Sequence, residues 1–467
     1  MKRKAKDIIS KYHLSIWQIS PEQEFEVEFV NARQFLKAER IDLICKLYYI
    51  DCKIKKKDMK YALELYSEHI RAFSNGSFVE PGNETKNTLE KYLSCFDSLI
   101  ADISQHGINE KKSIVPVGEN NVILDGSHRV AIAIYFDIKI PIVRINYNRV
   151  NYNYDYFLYK GLNNTFVDDM IIKYMSYVKN VFLVCLWPAA SSIEKNRVVE
   201  EIITHHSEVV YKKQLYLNYH ALEQLLIHAY GHQSWTGDYM NGFQNITGKV
   251  NSCYCPGVTT KIYIIDHITF NQVLELKEEI RNLYGIGNHS IHITDTLDES
   301  LFIARVAFNK NSIDMLSYGN PFKYPEFSKK ILKFKQTIMN NRLVFDDYLV
   351  DSSSVLSLYG LREARDIDYL SNVEPLPKSD VYDLHNSYIR YYGCDLDELI
   401  DNPKNYFYFF GVKYVSLNRL RIMKKNRGEQ KDKVDLRLIN SLNKKRMKNE
   451  ISLLKNKIKY KIKQLLS

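Results

Sequence analysis

Residues 350–370 read Val350-Asp-Ser-Ser-Ser-Val-Leu-Ser-Leu-Tyr-Gly-Leu-Arg-Glu-Ala-Arg-Asp-Ile-Asp-Tyr-Leu370. Asp366 and Asp368 lie two apart on an alternating run, so a strand would present both carboxylates on one face. Hard oxygen ligands suit Mg²⁺, whose other positions go to water and phosphate. A magnesium ion held there can bridge nucleotide phosphates during in-line transfer. The stretch therefore predicts a magnesium site that serves phosphoryl-group chemistry.

The small pair Ser353-Ser354 precedes Asp366-Ile-Asp368 by a short spacer, which resembles the DNA polymerase β-like nucleotidyltransferase superfamily. The resemblance covers residues 342–440. It implies that Asp366 and Asp368 are catalytic and hold the metal, and that the two serines approach phosphate. The pair is usually Gly-Ser or Gly-Gly in that superfamily.

Two further roles are implied by the same resemblance. Lys413 is the candidate phosphate contact, and the run from Met423 to Ile439 packs behind the site. Asp383 is the preferred third acidic residue, ahead of Asp380. An alternative interpretation of the Asp-x-Asp pair is a surface strand whose carboxylates pair with Arg362 and Arg365.

A second motif, Asp125-Gly-Ser-His-Arg129, joins a predicted strand over 121–125 to a predicted helix over 129–136. Free amides at a helix N-terminus next to an arginine can bind phosphate. The motif resembles the phosphate-binding box of the ParB/sulfiredoxin fold. The resemblance implies a nucleotide-phosphate site at Asp125, Gly126, Ser127, His128 and Arg129. Alternatively, Asp125 caps the helix while Arg129 pairs with a nearby acidic residue.

Other acidic and basic residues are weaker candidates. Glu80 and Glu84 are candidate acid/base residues of the N-terminal region. In the middle region His292 lies at the end of a predicted strand and is a candidate general base or phosphate partner. The alternative there is a structural histidine beside the next helix, which Asp295 or Thr296 would cap.

Composition indicates an ordinary globular chain, with 45% hydrophobic and 26% charged residues. Its length predicts about three domains. Periodicity gives an α/β architecture, α+β in parts: a ParB/sulfiredoxin-like domain (1–160), an α/β middle domain (165–325), a nucleotidyltransferase-like domain (342–440) and a basic tail (441–467).

The positive charge of the chain is concentrated at its C-terminal end, which indicates what kind of partner it favours. Residues 419–467 hold 17 Lys and Arg against 4 Asp and Glu, which leaves 48 basic and 51 acidic residues elsewhere. The near-neutral body makes nucleic acid the less favoured partner. The tail could lie on an anionic membrane surface or pack on its own domain.

The cysteines and the apolar runs indicate the location of the protein. The chain has seven cysteines without a CxxC pair, no secretory signal and no long apolar run. These features predict a cytoplasmic protein, which would be peripheral at the inner membrane face if the tail binds lipid.

These observations predict a bacterial, magnesium-dependent nucleotidyl- or phosphoryltransferase that uses an NTP of unspecified base. The fused arrangement resembles proteins of surface-polysaccharide clusters, which implies a sugar or alditol phosphate acceptor. One alternative is a small-molecule kinase centred on Gly126 to Arg129 with an inactive C-terminal domain. Another is a nucleic-acid-associated nucleotidyltransferase of the tRNA or toxin type.

Overall fold

A computed structural model describes residues 2–83, 85–109, 113–190 and 193–444, together with Arg446 and Ile451. The chain divides into two compact units, Met1–Val178 and Lys179–Ser467. Both are mixed α/β, with several small sheets, as the sequence predicts. The predicted middle segment, 165–325, crosses the boundary between the units at Val178, whereas the predicted nucleotidyltransferase-like segment, 342–440, lies within the second unit. Each of these two segments contains its own sheet.

The first unit combines short strands with eight α-helices in its described part. The strands are β1 (Lys2–Lys4), β2 (Glu24–Glu26), β3 (Glu28–Asn31), β4 (Val115–Val117) and β5 (Lys139–Arg144). The helices are α1 (Ala5–Ile8), α2 (Lys11–Trp17), α3 (Asp42–Ile54), α4 (Lys60–Phe73), α5 (Leu89–His106), α6 (Ser127–Tyr135), α7 (Tyr154–Tyr159) and α8 (Asn164–Tyr177). Strand β5 lies between antiparallel β3 and parallel β4, and β1 pairs with β2.

The predicted strand over 121–125 is wrong. This segment makes one isolated bridge, between Val117 and Ile123, and two backbone hydrogen bonds to the end of β4. Leu124 N–H donates to the Pro116 carbonyl and Gly118 N–H to the Val122 carbonyl, at 2.9 Å each. Helix α6 begins at Ser127, so the segment is too short to form further hydrogen bonds along β4.

The four-stranded sheet of the second unit has the order β7-β8-β6-β9 and is antiparallel at each described pairing. Its strands are β6 (Phe182–Leu186), β7 (Glu208–Leu215), β8 (Thr260–Asp266) and β9 (Ile291–Ile293). The accompanying helices are α9 (Ile193–His206), α10 (Tyr219–Tyr230), α11 (Thr247–Cys253), α12 (Phe270–Tyr284), α13 (Leu297–Ala307), α14 (Lys310–Tyr318) and α15 (Pro325–Asn340). Apolar residues of α9 and α12 cover one face of β6 and form a buried core with it.

Helix α12 begins with a capping box. The Thr269 side chain accepts from Gln272 N–H, and the Gln272 side chain accepts from Thr269 N–H. Thr269→Ala should lower the free energy of unfolding by about 1 kcal/mol, because a helix N–H loses its partner. Thermal unfolding should show the loss in Thr269→Ala and not in Thr269→Ser. Equal destabilisation of both variants would contradict the prediction.

The five-stranded sheet has the order β12-β11-β10-β14-β13. Its strands are β10 (Tyr348–Val350), β11 (Ile367–Ser371), β12 (Tyr382–Leu384), β13 (Tyr406–Phe409) and β14 (Val412–Val415). Three helices accompany them, α16 (Ser353–Leu358), α17 (Leu396–Asp401) and α18 (Leu417–Arg427), and residues 430–444 are also helical. The two sheets are linked through buried contacts, such as Phe410 N–H donating to His228 Nε2 at 2.9 Å. No helix in the described part of the chain is long and apolar enough to cross a membrane.

Candidate active site

Asp368 lies in β11 and Asp366 immediately before it, since the strand begins at Ile367. The prediction that one strand carries both residues is thus wrong for Asp366, by one residue. Strand β11 runs parallel to β12, and Asp368 is the direct partner of Asp383. Directly paired residues project from the same face of a sheet, so the Asp368 and Asp383 side chains share a face.

Asp351 is the carboxylate that sequence reasoning missed. It follows β10, is fully buried, and its N–H donates to the Asp368 carbonyl at 2.8 Å. Its side chain accepts hydrogen bonds from Tyr392 Oη and from the next backbone N–H, and His385 Nδ1 lies 3.1 Å away. The next residue, Ser352, has a φ of 57°, a strained conformation for a residue with a side chain. The chain therefore makes a tight turn into α16, held by Asp351.

His385 connects Asp351 to the predicted pair, because its Nε2 lies 3.8 Å from Asp368 Oδ1. Burial acts to lower the pKa of His385. The hydrogen bond to Asp351 and the charge of Asp368 outweigh burial, so the pKa of His385 is raised above its usual value. Burial, together with the charges of Asp351 and Asp366, raises the pKa of Asp368 to about 6, against the opposing charge of His385. Asp368 is thus a desolvated carboxylate in a locally negative setting.

Neither arginine of the alternative interpretation pairs with these carboxylates. Arg362 forms its ion pair with Asp435, at 2.6 Å, and among the described residues no ion pair joins Arg365 to Asp366 or Asp368. The Asp366 and Asp368 side chains are therefore not held in arginine pairs.

The two predicted serines are buried beneath the turn. Ser354 is fully buried, and its hydroxyl lies 3.4 Å from the Asp366 carbonyl. Ser353 is 8% exposed. The serine with the positive φ is Ser352, one position earlier than the predicted pair. The predicted pair thus lies in the first turn of α16, directly after the strained residue.

Lys413 is not brought to the carboxylates. It lies in β14 beside Leu349 of β10, and its ammonium donates to the Asp346 carbonyl at 3.2 Å. It also lies over the Tyr406 ring, 4.1 Å from the centroid. Asp346 precedes β10 whereas Asp351 follows it, so the Lys413 ammonium lies at the opposite end of that strand.

The run after Met423 forms a buried ion-pair network. Lys424 lies between Asp432 and Asp435, at 3.3 and 2.9 Å, and all three side chains are at most 2% exposed. Arg427 makes a two-pronged pair with Asp432, at 2.9 and 2.7 Å.

This network reaches the carboxylate site through an aromatic ring. The Arg427 guanidinium lies over the Tyr388 ring, 5.5 Å from its centroid, and that ring contacts His385 with centroids 4.0 Å apart. Arg427 and Tyr388 therefore support His385 from the side of α18.

The donor atoms suit a magnesium ion, although they do not form a complete cage. Within the described residues there is no group of three His, Cys, Asp or Glu side chains spaced to hold a metal. Magnesium, however, commonly takes only one or two protein carboxylates and completes its shell with water and substrate phosphate. Asp366 and Asp368 supply two hard oxygen donors in a locally negative setting, which fits that mode of binding.

The Gly126 motif lines a cavity of about 480 Å³ in the first unit, a volume suited to a small molecule. Asp125, Gly126, Ser127, His128 and Glu80 all contribute to its wall. Gly126 has a φ of 84°, and a Cβ there would lie 2.8 Å from the Arg129 guanidinium. The loop thus needs a glycine where the chain enters α6.

Arg129 packs under its own loop instead of lining the cavity. Its guanidinium lies 3.8 Å from Asp125 and donates to the Ser113 hydroxyl at 3.2 Å. The ion pair of the alternative interpretation is thus present, but Asp125 does not cap α6, whose N-cap residue is Gly126. Glu80 pairs with Lys86 at 3.1 Å, and Glu84 lies outside the described residues.

His292 is in β9, in the other sheet of the second unit from the one that carries Asp368. It is 6% exposed, and its Nε2 lies 3.0 Å from Glu299 Oε1 while its ring contacts Tyr230. Burial lowers its pKa. Helix α13 is capped by Thr296, one of the two predicted caps. These contacts are those of a structural histidine.

Two signals could have indicated the missed residues. Asp351 directly follows the apolar run of β10, and His385 lies two residues after Asp383, on the same alternation. Tyr392 has no such local signal. Comparisons with protein-family models, with curated proteins and with solved structures found no match to this chain.

Proposed function

We propose that the second unit transfers a nucleotidyl or phosphoryl group from an NTP in a magnesium-dependent reaction. The observation that carries the proposal is the desolvated Asp368 carboxylate, which lies in register with Asp383 and feels the charge of Asp366. Such a concentration of negative charge on one sheet face is costly unless a cation binds to it.

Asp366 and Asp368 would hold the magnesium ion, which when bound neutralises phosphate charge during in-line transfer. The remaining roles belong to the chain itself. The Asp351 side chain fixes the turn after β10. Its backbone N–H donates to the Asp368 carbonyl and so fixes the position of Asp368 along β11. His385 lies between Asp351 and Asp368, and its raised pKa favours the protonated ring, which limits the repulsion between the two carboxylates. Asp383 has an exposed side chain beside Asp368 and is positioned to accept a proton or orient a hydroxyl.

The acceptor we propose is a sugar or alditol phosphate, and this assignment rests on the resemblance to surface-polysaccharide cluster proteins. The transferred group can be identified with NTPs labelled at the α or the γ phosphate, incubated with magnesium and a panel of such acceptors. Label from the α position in the product indicates nucleotidyl transfer, and label from the γ position indicates phosphoryl transfer.

Two variants link this reaction to the site. We expect Asp383→Asn to lower transfer about a hundred-fold, the usual contribution of a positioned acid or base. Asp380→Asn is the matched control, because Asp380 is three residues away, 88% exposed and paired with Lys333. Equal rates in the two variants would remove Asp383 from the mechanism, and transfer without magnesium would refute the proposal.

A further inference from the structure

The cavity of the first unit contains a buried cluster of charges that does not balance. Arg40, Asp42 and Lys46 all line it, and each is at most 3% exposed. Among the described residues, Asp42 is the only carboxylate that pairs with either cation, at 2.8 Å from Arg40 and 2.9 Å from Lys46. Arg40 and Lys46 thus share one carboxylate, whereas the other acidic residues of the wall, Glu80 and Asp125, pair with Lys86 and Arg129. Burial lowers the pKa of Lys46, although the charge of Asp42 opposes that change. Buried charge without a counter-ion is unfavourable, so the cluster favours an anion.

Arg40 retains the means to bind such an anion directly. A guanidinium has five N–H donors, and Arg40 uses three of them, two on Asp42 and one on the Ile123 carbonyl. Lys46, by contrast, has all three donors engaged: two on Asp42 and one on His69 Nε2, at 3.1 Å. Arg40 is therefore the direct partner, and Lys46 supplies the unbalanced charge.

The rest of the wall is suited to a ring. Trp17 and Tyr147 line the cavity with ring centroids 6.1 Å apart, and His13 is stacked on Trp17 at 4.5 Å. His128 also lines it; its Nε2 is 2.7 Å from Tyr66 Oη, which leaves Nδ1 available for a polar group. Aromatic walls with a few convergent polar groups are typical of small-molecule sites.

We propose that this cavity binds a small organic anion that carries a ring. Its phosphate or carboxylate lies against Arg40 in the field of Lys46, and its ring lies along the wall formed by Trp17 and Tyr147. The recognising cations come from α3 and from the segment just before it, not from the Gly126 loop. The site is in the first unit, so it does not depend on the transferase proposed for the second.

Binding can be tested on the full chain by saturation-transfer NMR with three probes: phenyl phosphate, benzoate and neutral benzyl alcohol. We expect at least one of the two anions to bind. Binding of phenyl phosphate alone identifies a phosphate ester as the ligand class, and binding of benzoate as well identifies organic anions in general. Failure of both anions, or equal binding of the neutral probe, would overturn the proposal.

Lys46→Met tests the charge argument, because it removes the second cation, with its hydrogen bonds to Asp42 and His69, and keeps Asp42 and Arg40 as a pair. We expect the anion to bind about ten-fold more weakly. Lys173→Met is the matched control: this lysine of the same unit also pairs with a buried aspartate, Asp169, but does not line the cavity. Ser127→Tyr should block the cavity without any change of charge. Unchanged affinity in Lys46→Met and Ser127→Tyr would overturn the proposal.

Discussion

Asp368→Asn is expected to abolish group transfer while leaving the protein at least as stable as the wild type. The proposed metal site loses one of its two ligands, and a thousand-fold fall in rate corresponds to roughly 4 kcal/mol of lost transition-state stabilisation. The carboxylate is itself unfavourable in the folded protein, because burial and the charges of Asp351 and Asp366 raise its pKa to about 6. Removing its charge should therefore raise the free energy of unfolding by ~1–3 kcal/mol at neutral pH.

The pH dependence of that gain follows from the direction of the shift. The folded protein binds a proton at Asp368 more tightly than the unfolded chain does, so the wild type loses stability as pH rises from about 4 to about 6. Below that window Asp368 is protonated in both states, and the variant should have no advantage. Above it the advantage should be constant. Chemical denaturation at several pH values measures this difference.

The same measurements separate function from folding. Asp380→Asn is again the control, and it should change neither transfer nor stability, because Asp380 is an exposed residue of the same segment. If Asp368→Asn retained wild-type transfer, magnesium-dependent chemistry at this site would be excluded. If it lost both transfer and stability, Asp368 would be a structural residue.

Lys424→Met is expected to cause the largest loss of stability, about 3–5 kcal/mol. Lys424 is 1% exposed and pairs with both Asp432 and Asp435, so its removal leaves two buried carboxylates with one cation fewer. Chemical denaturation monitored by circular dichroism measures the effect. Lys433→Met, in the adjacent helical segment, is the matched control and should lie within about 0.5 kcal/mol of the wild type, because that lysine is exposed.

A double substitution tests the cause of the loss. Asp435→Asn added to Lys424→Met removes one of the two carboxylates that lose Lys424 as a partner, while Asp432 keeps its pair with Arg427, so the double variant should recover part of the stability. An effect of Lys424→Met no larger than that of Lys433→Met would show that the network contributes little. Because Arg427 of this network supports Tyr388 and His385, we also expect Lys424→Met to slow transfer.

Local pattern predicted the type and place of several helices and strands. Helices α4 (Lys60–Phe73) and α10 (Tyr219–Tyr230) lie where apolar residues recur at helical spacing in the sequence. Strand β8 (Thr260–Asp266) contains the apolar run Ile262-Tyr-Ile-Ile265. Periodicity is a property of neighbouring residues, so it can be read without knowledge of the partner that covers the apolar face. For the same reason, periodicity does not show whether neighbouring strands run parallel or antiparallel. The four-stranded sheet of the second unit is antiparallel at its described pairings.

The amino-acid sequence by itself determined the carboxylate pair and the glycine at the start of α6, because each depends on residues close together in the chain. Only the tertiary structure decided which distant side chains join them. Pairing of β10 with β11 brings Asp351 to Asp368, and pairing of β11 with β12 brings Asp383. Pairing of β10 with β14 places the Lys413 ammonium at the other end of β10. Strand register sets these distances, and register is fixed by pairing between segments, not by the pattern within one.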